Sequence, residues 1–206
     1  MSVGVVAVVF AMIAIAELPD KTMIAMLLMG SRSRPILVWV GCCAAFSVHV
    51  SLAVVAGRLL MLLPHRDLLV ITTVLFLAGA AYLLFVPERG EEEKGAAEAA
   101  KAESHLESLQ SLPSPPALKT VATAFGVILV GEFGDLTQLL TVNLMARYHQ
   151  PLSVFVGALG ALMAVSLVGA FGGRALLKLI PLAGIRRGGA LVLIGFSVYN
   201  VYAIVR

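Results

Sequence analysis

Six apolar stretches, each long enough to cross a lipid bilayer, constrain the fold of this chain more than any other feature. A transmembrane helix needs about 20 mostly apolar residues to cross a hydrocarbon core about 30 Å thick. The composition agrees, because 60% of the 206 residues are hydrophobic and 13% are charged, whereas a typical soluble domain carries about 25% charged residues. We therefore predict an all-α polytopic membrane protein whose partner is the lipid bilayer, and no basic stripe indicates a nucleic-acid partner. The six predicted transmembrane helices are residues 3–30, 36–63, 68–86, 118–146, 152–180 and 189–205.

The second half of the chain repeats the first. The motif ELPDKT at residues 17–22 aligns with EFGDLT at residues 132–137 at an offset of 115, and Gly41 aligns with Gly157 at an offset of 116. Each half contains three predicted spans, so the second half must enter the membrane in the opposite direction from the first. Such inverted repeats build many secondary transporters, whose substrate site lies near the membrane midplane between the halves. The predicted parts are a first three-helix repeat (1–86), an acidic linker (87–117) and a second three-helix repeat (118–206).

Four acidic residues lie within the predicted spans, at matching positions of the two motifs. An acid at the centre of a transmembrane helix costs about 2.5–3.5 kcal/mol on insertion scales, so these residues need a compensating function. The two acids of each motif are three residues apart and are expected on one helix face. Carboxylates that meet in the membrane are neutralised by protons or by a cation, and this competition is what a proton/cation exchanger requires. Oxygen ligands suit hard divalent ions such as Ca²⁺, Mn²⁺ and Mg²⁺. The four predicted ligands are Glu17, Asp20, Glu132 and Asp135.

Residues next to the acids support the same interpretation. Pro19 has no N–H, so the carbonyl of Ile15 is expected to lose its helical partner and become a free oxygen. Gly134, at the matching place, is expected to loosen its helix and to allow another group to approach closely. Lys21 either pairs with a carboxylate or extends towards the membrane surface, and Leu136 holds the matching position. The predicted neutral oxygen ligands are the side chains of Thr22, Thr137, Gln138 and Thr141.

A lone histidine, His49, lies in the second predicted span. Its titration range near neutral pH fits a proton relay. Its neighbours in sequence, Ser47 and Ser51, favour instead a structural role in which the ring forms hydrogen bonds. Neither motif contains the thiolate or imidazole that a soft-metal site requires.

The distribution of lysine and arginine predicts the orientation in the membrane. Cytoplasmic loops of membrane proteins carry an excess of these residues. If both termini lie outside, the excess of basic residues lies in the cytoplasm. These residues include those of the linker and Arg32, Arg34, Arg186 and Arg187. The acidic linker is then a cytoplasmic, solvated segment.

Taken together, the motifs carry a family resemblance. Each half has a motif similar to E-x-G-D-[KR]-[TS], and an acidic loop joins two hydrophobic halves. In these features the whole chain resembles the GDT1 family of the cation/Ca²⁺ exchanger superfamily. The resemblance implies exchange of Mn²⁺ or Ca²⁺ for protons, Mn²⁺ export in bacterial members, and a cation site formed by the four motif acids. The chain departs from the pattern at Pro19, in place of glycine, and at Leu136, in place of the basic residue, which leaves the ion preference open.

The predicted function is therefore an antiporter, not an enzyme, that exports Mn²⁺ first and Ca²⁺ second from the cytoplasm in exchange for protons. It needs no resident cofactor, is expected in a bacterial inner membrane, and could act as a homo-oligomer. A divalent-cation channel or uniporter is the alternative, and dependence on a proton gradient separates the two classes. An intramembrane aspartyl protease fits less well, because the stretch GEFGD has Glu132 where a GxGD motif needs glycine.

Overall fold

The chain forms an all-helical bundle. The computed structural model describes residues 1–17, 21–85, 97, 100, 104, 116–177 and 182–205. Within these residues it has no strand, and the predicted all-α class is confirmed. The helices with described ends are α1 (Val3–Glu17), α2 (Lys21–Arg32), α3 (Pro35–Leu60), α4 (His65–Phe85), α5 (Pro116–Gly131), α6 (Leu136–Tyr148), α7 (Pro151–Leu177) and α8 (Leu182–Val205).

Two of these helices, α3 and α7, are long and apolar enough to cross a membrane unaided, over Pro35–Leu60 and Pro151–Gly172. Apolar helical segments that are shorter lie in α1, α4, α5 and α8. The predicted span 118–146 was wrong as a single helix, because it is divided into α5 and α6. The predicted span 3–30 contains α1 and α2, and residues 18–20 between them lie outside the described residues. The predicted acidic linker lies almost wholly outside the described residues, so the boundaries of the three predicted parts stay predictions.

Proline and left-handed residues set the limits of several helices. Pro35, Pro116 and Pro151 are the first residues of α3, α5 and α7, where the missing N–H removes no helical hydrogen bond. His149 ends α6 in the left-handed region, with φ 57°, and its N–H donates to the carbonyl of Met145 at 3.1 Å. This short end leaves only residues 149–150 between α6 and α7, so the two helices turn back on each other.

The packing pairs repeat when the two halves are exchanged. Helix α3 packs on α5 and α6, and its counterpart α7 packs on α1 and α2. Helices α3 and α7 also pack on each other, and the indole N–H of Trp39 donates to the carbonyl of Met163 at 3.0 Å. The last helices of the two halves, α4 and α8, form a further pair. Exchanging the two halves therefore turns each of these helix pairs either into another pair in contact or into itself.

Two glycines make the same close approach in the two halves. A Cβ atom built on Gly41 of α3 would lie 2.5 Å from the carbonyl oxygen of Val121 and 2.8 Å from Cβ of Ala124. A Cβ atom built on Gly157 of α7 would lie 2.8 Å from the carbonyl oxygen of Val6. It would also lie 2.9 Å from Cβ of Val9. The contacted residues are themselves 115 positions apart, so the offset found in the sequence also relates atoms in contact.

The outer surface of the bundle is apolar. Large hydrophobic side chains are exposed on its helices, including Val130 at 78% and Leu191 at 69%. A soluble monomer rarely exposes contiguous apolar patches larger than a few hundred Å². Lipid chains are as apolar as these side chains, so a surface of this kind can face the interior of a bilayer without exposing apolar area to water.

Candidate cation site

The second motif interrupts its helix. Helix α5 ends at Gly131 and α6 begins at Leu136, and between them Gly134 has φ 79°, a left-handed conformation that costs other residues roughly 1–2 kcal/mol. A backbone hydrogen bond closes the turn, in which the N–H of Asp135 donates to the carbonyl of Glu132 at 3.2 Å. The second predicted role of Gly134, admitting a close neighbour, was wrong, because a Cβ atom built there would meet nothing within 4 Å.

The interruption places the two acids of this motif differently. Glu132 follows the end of α5 and is 3% exposed. Asp135 is partly buried and stands at the N-cap of α6, with extended φ and ψ of −70° and 167°, and its side chain makes no capping hydrogen bond. The prediction that the two share one helix face was therefore wrong, because the left-handed Gly134 turns the chain between them.

The first motif is described only in part. Glu17 is the last residue of α1 and is fully buried, at 0% exposure. Asp20 and Pro19 lie outside the described residues, as does the side chain of Lys21, whose backbone begins α2. The freed carbonyl predicted for Ile15, a half-buried residue of α1, depends on Pro19 and stays a prediction.

Glu132 stands where a half-helix ends. Helix α5 finishes one residue before it, and Glu17 is the last residue described in α1. The last carbonyls of a helix lack helical partners and carry a partial negative charge, so cations are favoured there. The end of α5, followed by the buried carboxylate of Glu132, forms an environment suited to a cation.

A hydrogen bond joins the two motifs. The hydroxyl of Thr22, in the first turn of α2, donates to Oε1 of Glu132, and both side chains are buried. The interrupted helices also touch each other, α1 against α6 and α2 against α5. The structure therefore brings a residue of the first motif onto an acid of the second across 110 positions of sequence.

A cavity lies beside Glu132, between α3, α6 and α7. Its empty volume is about 270 Å³, which includes space open to the surroundings. The predicted neutral ligands of the second motif all line it, and Thr141 in addition donates its hydroxyl to the carbonyl of Thr137 at 2.7 Å. Its polar lining consists of His49, Glu132, Thr137, Gln138 and Thr141.

Among the polar residues that line the cavity, His49 lies outside both motifs. It is 4% exposed, and its Nδ1 faces Nε2 of Gln138 at 3.5 Å. The serines that were expected to bond to it donate elsewhere, because the hydroxyls of Ser47 and Ser51 donate to carbonyls of their own helix at 2.7 Å. Only the tertiary packing of α3 against α6 reveals this residue's place beside Glu132.

Gln138 closes the arrangement. Its Oε1 accepts the N–H of Gly134 at 2.7 Å, so the side chain holds the turn between α5 and α6. The possible metal ligands in and around Glu132 are hydroxyl, amide, imidazole and carboxylate groups, a set that fits a divalent cation as substrate. In the described part of the chain, no three His, Cys, Asp or Glu side chains lie close enough together to hold a metal ion. The predicted meeting of all four acids, with Asp20 outside that part, stays a prediction.

These features define the class of the protein. Apolar helices form the bundle, the second acidic motif interrupts its helix, and Glu17 and Glu132 are buried. This is an integral membrane protein with an interior suited to cations.

The comparisons with known proteins identify the family. The sequence profile described as "Divalent cation/proton antiporter GDT1" matches residues 5–91 and 120–205, and the chain belongs to that family. Two curated relatives from Arabidopsis thaliana are each 27% identical to it. The first, "Protein PAM71, chloroplastic", aligns with 95% of this chain, which spans 56% of PAM71. The second, "GDT1-like protein 5", aligns with 93% of this chain and 92% of its own length. No solved structure matches. The family consists of transporters, and the predicted family is confirmed.

Proposed function

We propose that this protein is a secondary antiporter that exchanges a divalent cation, Mn²⁺ first and Ca²⁺ second, for protons and exports the cation from the cytoplasm. The observation that carries the proposal is the hydrogen bond from Thr22 to Glu132. It connects the two acidic motifs beside the end of α5. The proposed ligands are the four acids Glu17, Asp20, Glu132 and Asp135.

The proposed architecture has six membrane crossings arranged as two inverted repeats. Helices α1 and α2 together make one crossing, and α5 and α6 make its counterpart. The equivalent approaches of Gly41 and Gly157 support the repeat, as do the equivalent helix pairs. Three crossings per half imply opposite insertion, and interrupted helices at the centre are typical of transporters built this way.

The proposed mechanism is a competition for the carboxylates. In the cytoplasm-open state the ionised acids capture the divalent ion, whose charge offsets their mutual repulsion. The two halves then rock against each other and expose the site to the outside, as in alternating access. Protons displace the ion there, and the neutralised site returns. Since metal ligands must be deprotonated, the apparent affinity for Mn²⁺ should fall as the pH falls.

The predicted setting belongs to the same proposal. A bacterial inner membrane with both termini outside rests on the charge distribution of the loops, and the two curated relatives come from a plant. Reconstituted protein of defined orientation, digested with a protease from one side, would place the termini directly.

Transport by the purified protein in lipid vesicles tests the proposal. Uptake of Mn²⁺, with Ca²⁺ and Mg²⁺ as competitors, is measured with and without an imposed pH gradient. We expect uptake that the gradient accelerates and that proton movement in the opposite direction accompanies. Glu132→Gln and Asp135→Asn should abolish exchange, because each keeps the side-chain shape and removes a charge that binds the ion.

Asp67 provides the matched control. It is exposed in the first turn of α4, outside both motifs, so Asp67→Asn makes the same chemical change and should leave exchange intact. Unimpaired exchange in Glu132→Gln would refute the site. Mn²⁺ flux that ignores the pH gradient would instead identify the channel or uniporter that is the alternative to an antiporter.

A further inference from the structure

The motifs supply oxygen ligands, but the structure adds a nitrogen. His49 lies near the middle of α3 and lines the same cavity as Glu132. We propose that Nε2 of His49 is a direct ligand of the transported ion and favours a transition-series divalent ion such as Mn²⁺ over Ca²⁺ and Mg²⁺. This inference rests on the proposed function, because it concerns the ion that the acids would bind.

The two ring nitrogens of His49 differ in their surroundings. Nδ1 faces the amide nitrogen of Gln138 at 3.5 Å. Nε2 is buried, and no group in the described part of the chain is placed to form a hydrogen bond with it. The carbonyls of Ile128 and Leu129, at the end of α5, lie close to the ring without meeting hydrogen-bond geometry at Nε2. A cation there would find carbonyl oxygens beside the nitrogen.

The buried Nε2 of His49 is left without a hydrogen bond of normal geometry in the described part of the chain. Most buried polar groups have a hydrogen-bond partner, and leaving one without costs about 1–3 kcal/mol. In metal-binding histidines one ring nitrogen donates its N–H to a polar group and the other binds the ion. Gln138 is placed at Nδ1 of His49 to take this role once its amide oxygen turns towards the ring.

The chemistry of imidazole gives the selectivity. All three ions bind oxygen, but Ca²⁺ and Mg²⁺ gain little from a nitrogen ligand, whereas Mn²⁺ is a transition-series ion and loses less when one imidazole stands among the oxygens. In the second half, Val165 occupies the position matching His49 at the offset of 116 and is itself buried. One nitrogen therefore serves the site, enough to shift its preference without making it a soft-metal site.

Ligation would also act on the interruption of the helix. Binding through Nε2 requires the ring proton on Nδ1, so Gln138 must turn its oxygen towards the ring. In the structure that oxygen accepts the N–H of Gly134 at 2.7 Å. Rotation of the amide would break this hydrogen bond. Because α3 is continuous, His49 stays fixed while the turn carrying Glu132 gains freedom to close around the ion.

Pulsed electron paramagnetic resonance of bound Mn²⁺ tests the inference on the intact protein. A coordinated imidazole produces electron spin-echo modulation from ¹⁴N. We expect this modulation in the wild-type protein and its loss in His49→Gln. The matched control is His149→Asn, an exposed residue outside the cavity whose left-handed backbone asparagine tolerates. It should keep the modulation.

Competition between ions provides the second measurement. The Ca²⁺ concentration that displaces half of the bound Mn²⁺ should fall at least about tenfold in His49→Gln, since even outer-shell changes alter metal affinity by about 10–100-fold. Wild-type protein that binds Mn²⁺ without nitrogen modulation, or modulation that persists in His49→Gln, would overturn the inference and leave the antiporter intact. Wild-type protein that neither binds Mn²⁺ nor exchanges it would overturn both.

Discussion

The close packing of α7 against α1 at Gly157 gives a stability prediction that can be worked out from distances. In Gly157→Ala the new methyl group would lie 2.8 Å from the carbonyl oxygen of Val6 and 2.9 Å from Cβ of Val9. Neither atom can rotate away, because one belongs to the backbone and the other is fixed to it. The two helices must therefore move apart by several tenths of an ångström.

Gly160, one turn later on α7, is the matched control. A Cβ atom there would meet its nearest neighbour, Cδ2 of Phe10, at 3.6 Å, which is ordinary contact. Both substitutions change the intrinsic helix preference equally, so the difference between Gly157→Ala and Gly160→Ala isolates the packing clash. Overpacking of this kind costs about 1–3 kcal/mol. For a chain of this size we expect Gly157→Ala to unfold about 2–12 °C below Gly160→Ala.

Thermal unfolding of the detergent-solubilised protein measures the difference, at one scan rate because membrane proteins often unfold irreversibly. The pair Gly41→Ala and Gly126→Ala repeats the experiment in the other half, where Gly41 has a neighbour at 2.5 Å and Gly126 none within 4 Å. Equal midpoints within both pairs would show that the helices are not packed as described. A difference in one pair only would refute the equivalence of the halves.

Three further predictions concern the site and its surroundings. Gly134→Ala should lower the unfolding midpoint, because an L-residue at its positive φ costs about 1–2 kcal/mol, and Gly134→Asn should lower it less. Thr22→Val removes the donor to Glu132 and should reduce Mn²⁺ exchange and cost about 1–3 kcal/mol of stability, whereas Thr22→Ser should behave as wild type. Asn200→Leu should destabilise by about 1–3 kcal/mol, measured by thermal unfolding, because Asn200 accepts a bond of 3.1 Å from Arg147 of α6 and donates one of 3.0 Å to a hydroxyl of α4. Unchanged midpoints in Gly134→Ala and Asn200→Leu, or unchanged exchange in Thr22→Val, would contradict these expectations.

The apolar pattern predicted the helices well, but not their interruptions. Hydropathy responds to the average over about 20 residues, so 118–146 reads as one span although residues 132–135 are not helical. The helix is interrupted at a glycine with positive φ. The sequence shows only that glycine permits this left-handed conformation, not that the chain adopts it. Gly134 was correctly predicted to loosen its helix, but a single glycine does not say whether the helix bends or stops.

The candidate site was predictable where it depended on the repeat. Aligning the motifs identified Thr22 and Glu132 as members of one site, and the structure places them in contact. His49 had no such guide. It belongs to α3, outside both motifs, and its neighbours along the helix are serines that bond to their own backbone. Its contact with Gln138 arises from the packing of α3 against α6, which no local pattern encodes.

The symmetry of the bundle and the asymmetry of the site have different physical origins. The equivalent contacts of Gly41 and Gly157 lie in the scaffold, where the proposed alternating access would require two arrangements of similar free energy. Of the unmatched pairs, Lys21 and Leu136 lie within the motifs, and His49, matched by Val165, lines the cavity beside Glu132. A single ion bound between two halves has to be coordinated by both at once, so its ligands need not be duplicated. Under the proposed mechanism, substitutions in the scaffold should therefore change the balance between the two states, whereas substitutions at the unmatched positions should change which ion is carried.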